Sequence, residues 1–168
     1  MSKTISSNKS PLPDSLGVRA VIISNKAGIP FVTLKIDFNI NENTMIPFLS
    51  AVHTFCENYM GETEEFYFST GSSDIYTLVK TYEGMPLMIF ALLDSKVKKL
   101  NIRNEAENAL DAFVANYPIH QLKNWDGNLD LFAPFEAKLQ TQVDQYLSKI
   151  KSGNFKERLR EIWNKIFT

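Results

Sequence analysis

The sequence predicts an α/β sandwich: a five-stranded, mainly antiparallel sheet in the order β-β-α-β-β-β-α-α, with a short C-terminal helix appended. Three observations carry that reading. Short β-branched and aromatic runs come in pairs joined by glycine-containing turns. Elsewhere the apolar period lengthens from two residues to three or four, the spacing of an amphipathic helix. One run, residues 87–93 (LMIFALL), is apolar throughout, which suits a central strand covered on both faces. One helix is therefore expected on one face of the sheet and two on the other.

The first strand is expected over 19–25 (RAVIISN) and the second over 29–38, where Phe31, Thr33, Lys35 and Asp37 alternate with Val32, Leu34, Ile36 and Phe38. Gly28 stands between them, where a hairpin needs positive φ. From Thr44 the period becomes helical: Met45, Phe48/Leu49, Val52, Phe55/Cys56 and Tyr59, with Pro47 in the first turn and Gly61 at the end. Strands follow over 65–70, 75–82 and 87–93, separated by Gly71-Ser72-Ser73-Asp74 and Glu83-Gly84. A second helix carries Ala106, Ala109/Leu110, Phe113/Val114 and Tyr117 until Pro118 stops it. After the turn Trp125-Asp126-Gly127-Asn128, a third carries Phe135, Leu139, Val143, Tyr146/Leu147 and Ile150. Gly153 should end it, and Asn154 with Glu157 reads as a capping box for a fourth, short helix.

At 168 residues the chain suits one domain. Residues 1–16 read as a polar, proline-broken tail, 17–150 as the domain and 151–168 as an appended amphipathic helix. A net charge of −1 lends no support to a nucleic-acid grip. The single cysteine, Cys56, leaves no internal disulfide. The first residues show no apolar signal segment, and a cytoplasmic location, peripheral at membranes at most, is the expectation.

Catalytic equipment is hard to find, and the expectation is no enzyme, no cofactor and no metal. His53 and His120 are 67 positions apart, and Cys56 lies on an apolar stripe where an inert thiol is usual. Thr70-Gly71-Ser72-Ser73 lacks the Lys-Ser/Thr of a phosphate loop. Glu62, Glu64 and Glu65 read as a solvated strand edge rather than a cation site. Binding features remain. Phe66, Tyr67 and Phe68 lie on an expected edge strand, which needs a cover. The last helix sets Lys151, Lys156, Arg158, Arg160 and Lys165 against Glu157 and Glu161, with a Phe/Trp/Ile stripe that packs on the domain, a partner or a membrane surface.

The element order and the opening Val21-Ile22-Ile23-Ser24-Asn25-Lys26-Ala27-Gly28-Ile29-Pro30 resemble a longin domain, over about residues 17 to 150. Roadblock domains share that hairpin but carry a helix before it; here the preceding residues are polar and proline-broken, which favours longin. The Trp125–Leu129 turn is similar to stand-alone longin proteins of archaea. The resemblance implies a non-enzymatic interaction module that dimerises and binds a small Ras-like GTPase, another longin or roadblock protein, or a trafficking partner. It places the partner groove on the first helix and third strand, and the candidate residues are Phe48, Val52, Phe55, Phe66 and Phe68, with Trp163 on the last helix. A longin SNARE would continue into a heptad segment and anchor, which the 18 residues after Ile150 do not contain. The competing readings are a PAS- or GAF-like ligand sensor, which needs a hollow between sheet and helix, and a peripheral membrane adaptor using the last helix.

Overall fold

The computed structural model describes residues 17–36, 63–69, 73–95 and 101–167, the side chains of 63, 64, 152–158 and 167 excepted. Five strands form one sheet: β1 (Val18–Asn25), β2 (Pro30–Lys35), β3 (Thr63–Ser69), β4 (Ser73–Tyr82) and β5 (Met85–Asp94). Their spatial order is β2-β1-β5-β4-β3, and every pairing is antiparallel. The chain then forms α1 (Ile102–Asn116), a short α2 (Ile119–Lys123), a 3₁₀ turn (Leu129–Phe132) and the long α3 (Ala133–Phe167). The helix expected over 44–60 lies outside the described residues.

The two hairpins turn as their sequences require. Between β1 and β2, Gly28 adopts φ +79°, and the Asn25 side chain accepts a 3.0 Å hydrogen bond from the Ile29 N–H. Between β4 and β5 both turn residues are left-handed, Glu83 at φ 48° and Gly84 at φ 78°, the pattern of a two-residue hairpin whose twist matches the strands. Glycine takes that conformation without penalty, whereas glutamate does not. Asparagine tolerates it better, so Glu83→Asn should raise stability by about 0.5–1 kcal/mol. Thermal unfolding checks this, and an unchanged or lowered Tm counts against it.

β5 is the middle strand, and its uninterrupted apolar run serves both faces. Leu87, Ile89 and Leu93 join Val21, Ile23, Leu34, Tyr76 and Leu78 on one face. Met88 and Phe90 join Ile22 and Val79 on the other. The register confirms the sorting, because Ile23 stands opposite Ile89 whereas Ile22 stands opposite Phe90. Helices α1, α2 and α3 pack on the first face, through Ala106, Leu110 and Phe113, then Leu122, then Phe135, Leu139, Val143 and Ile150. Phe113 is the hub of an aromatic cluster: its ring centroid lies 5.7 Å from Phe31, 5.6 Å from Phe132 and 5.3 Å from Phe135.

One correction concerns the C-terminus. The third helix does not stop at Gly153; α3 runs unbroken for 35 residues, about 50 Å at 1.5 Å per residue. The expected fourth helix, and the appended segment as far as Phe167, are its second half. An interior glycine costs a helix only about 1 kcal/mol relative to alanine, against about 3 for proline. With no proline near Gly153, the helix continues.

Candidate functional site

The edge of the sheet at β3 is built from alternating side chains. Phe66 and Phe68 point to the second face, where they are half-buried against Ile22, Val79, Met88 and Phe90. Both pack on that face of the sheet and keep part of their surface exposed. Tyr67 points the other way and is 48% exposed. Its ring meets that of Tyr76 edge-on, with centroids 5.0 Å apart. Tyr76 is wholly buried, and its hydroxyl donates a 2.7 Å hydrogen bond to Glu65 Oε2. Burial first, and then that bond and the Glu65 charge, push the Tyr76 pKa well up, so it remains a donor. Burial also raises the Tyr67 pKa, as do Glu65 and Asp74. β3 is thus fastened to β4 on both faces, and among the described residues it is the last strand of the sheet. Tyr67 is not among the six candidate residues, and the period-two alternation of a strand puts it opposite the two phenylalanines.

Of the other candidates, Phe48, Val52 and Phe55 lie outside the described residues, as do His53, Cys56 and Glu62. Trp163 is on the second half of α3 and is 60% exposed. Leu159, Ile162 and Ile166 on the same stretch are exposed too. Phe66 and Phe68 share one face of β3, whereas Trp163 is on α3. The turn at Trp125 is structural: Trp125 packs edge-on against Phe31 and Phe132, and its Nε1 donates to the Asn128 carbonyl at 2.9 Å. Asp126 and Asn128 side chains accept from the Asn128 and Asp130 N–H groups, closing the turn.

A charged clasp joins β4 to α1. Lys80 Nζ lies 2.8 Å from Glu107 Oε1 and 2.9 Å from Asp111 Oδ1, and Tyr82 donates its hydroxyl to Asp111 at 2.5 Å. Desolvation works against the charge on Asp111, but the Tyr82 and Lys80 hydrogen bonds and the Lys80 charge outweigh it, and its pKa falls. The Lys80 pKa rises, chiefly through its hydrogen bonds to Glu107 and Asp111. A lowered carboxylate pKa stabilises the fold above the ordinary Asp value, near 4, and that contribution is lost as pH falls through the lower folded value. Asp111 is half exposed, so Asp111→Asn should cost less than about 1 kcal/mol at neutral pH. It should also flatten the fall in stability below about pH 4. Urea unfolding across that range checks both, and parallel curves for variant and parent would contradict the assignment.

A small hollow of about 50 Å³ lies between the sheet and the helices, walled by Val18, Ile89, Leu93, Ala106, Leu139 and Val143. Tyr146 also lines it; its hydroxyl is buried without a hydrogen-bond partner, and burial, then Glu105 and Tyr67, push its pKa up to about 12. A benzene-sized ligand occupies a cavity of about 150 Å³, so this hollow holds no metabolite without enlargement. Among the described residues no group of three or more His, Cys, Asp or Glu side chains is placed to hold a metal ion. Among them, too, no helix is long and apolar enough to cross a membrane. No protein-family model matches the chain, and no curated protein matches it either.

Proposed function

We propose that this protein is a non-enzymatic interaction module of the longin type, which dimerises and docks a small Ras-like GTPase or another longin or roadblock chain. The reading rests on the resemblance of the first hairpin and of the element order, and is supported by a sheet of five antiparallel strands followed by helices. The observation that carries it furthest is the position of β3: it is the last strand of the sheet among the described residues, fastened to β4 on both faces, with Tyr67 half exposed. Such an edge is a template for strand addition by a second chain. The protein then acts in the cytoplasm as an adaptor, with no bond-making step of its own.

Light scattering of the chain alone and with purified Ras-like GTPases in both nucleotide states tests this. A dimer or a stoichiometric complex is the expected result. A lysine on an edge strand blunts pairing, so Tyr67→Lys should weaken that association by about tenfold or more, while loss of the Tyr76 ring contact should cost the fold only about 0.5–1.5 kcal/mol. A monomer that binds no GTPase in either state refutes the proposal. Association that Tyr67→Lys leaves intact refutes the β3 assignment.

A further inference from the structure

The second half of α3 carries an exposed apolar stripe. At about 100° per residue, Leu139, Val143, Tyr146 and Ile150 share one side of the helix, and all four are buried against the sheet. Leu159, Ile162, Trp163 and Ile166 share a stripe about half a turn round from it on the same projection. They are 40%, 52%, 60% and 67% exposed. In a helix that continues through Gly153, this second stripe lies on the side opposite the first.

The charges around the stripe say what it suits. On the same projection Lys151 and Lys165 fall on one flank, Arg160 falls on the other, and Glu161 falls near the back. All four are exposed. Over 151–168 the sequence carries five Lys or Arg and two Asp or Glu. Cations on both flanks disfavour a second copy, because any stripe-to-stripe pairing of two such helices, parallel or antiparallel, sets cation against cation. The same arrangement matches an anionic lipid surface. There the apolar side chains enter the acyl boundary, the tryptophan sits at headgroup level, and the flanking cations reach the lipid charges while the carboxylate faces water.

We infer that the second half of α3 is a membrane-surface helix that lays Leu159, Ile162, Trp163 and Ile166 into an anionic bilayer interface, with Lys151, Arg160 and Lys165 on lipid headgroups. This goes beyond the adaptor reading and does not depend on it.

Flotation of the full chain with phosphatidylcholine vesicles, with and without phosphatidylserine, tests the inference. Binding is expected with the anionic vesicles and should fall as salt is raised. Ile162→Glu with Trp163→Glu should lower the bound fraction by about tenfold or more, and Arg160→Glu with Lys165→Glu should do so on the anionic vesicles. All four residues are exposed, so both variants should keep the parent's unfolding midpoint. No flotation, equal flotation on neutral vesicles, or parental binding by the Ile162→Glu/Trp163→Glu variant each overturns the inference. So does a solution dimer that the same variant converts to monomer, since a second copy would then own the stripe.

Discussion

Replacing Phe113 with alanine should remove about 3–5 kcal/mol of unfolding free energy. Phe113 is fully buried on α1. Its ring lies within 5.1 to 5.7 Å, centroid to centroid, of Phe31 on β2, Tyr117 just beyond α1, Phe132 on the 3₁₀ turn and Phe135 on α3. Truncation therefore does two things at once. It forfeits the transfer of a large apolar side chain, and it opens a void that four rings from separate elements must close together. Those rings hold one another as well, with Phe31 and Phe132 at 5.2 Å and Tyr117 and Phe132 at 4.9 Å, so collapse into the void is resisted. Domains of this size have about 5–15 kcal/mol in total, and the variant should sit at the border of folding. Urea unfolding measures it; a loss under about 1 kcal/mol would mean that the cluster is not the keystone of the helical layer.

How legible such features were depended on how local they are. The first hairpin could be read because one residue, Gly28, must take positive φ there and the flanking residues alternate. β5 could be read as central because an apolar run with no polar side to expose must be covered twice, as Leu87 and Ile89 on one face and Met88 and Phe90 on the other show. The end of α1 followed from Pro118, at the boundary where the structure has it. Gly153 misled because a glycine weakens a helix without forbidding it. The change of stripe near Gly153 is real, but it falls within one helix, buried at Leu139, Val143, Tyr146 and Ile150 and exposed at Leu159, Ile162, Trp163 and Ile166. On β3 the aromatic run was visible, yet residue type alone favoured the phenylalanines; strand alternation puts them against the sheet and leaves Tyr67 outside. The Lys80 clasp joins residues 27 and 31 positions apart. No spacing rule reaches across a strand, a connection and a helix, so only the packed fold reveals it.

Thr77→Val should stabilise the protein by about 1–2 kcal/mol, against the usual direction for a core change. Thr77 is fully buried in the middle of β4, and its hydroxyl has no hydrogen-bond partner among the described residues. Its neighbours in register are Phe66 on β3 and Phe90 on β5, which offer no acceptor from their rings. A buried hydroxyl so placed gives up its water and gains nothing for it, at a cost of about 1–3 kcal/mol. Valine keeps the branched shape and the strand preference of threonine while removing the polar atom. Tyr146→Phe also removes an unpaired buried hydroxyl, but one near Glu105 and Gln142 at the hollow, where the surroundings are more polar and the gain should be smaller. The order of the two Tm shifts is therefore the informative measurement. A larger gain at Thr77 than at Tyr146 is the mark of a dry second face behind the sheet. A loss of stability in Thr77→Val would show that its hydroxyl is bonded and that this face is not the apolar layer formed by Ile22, Val79, Met88 and Phe90.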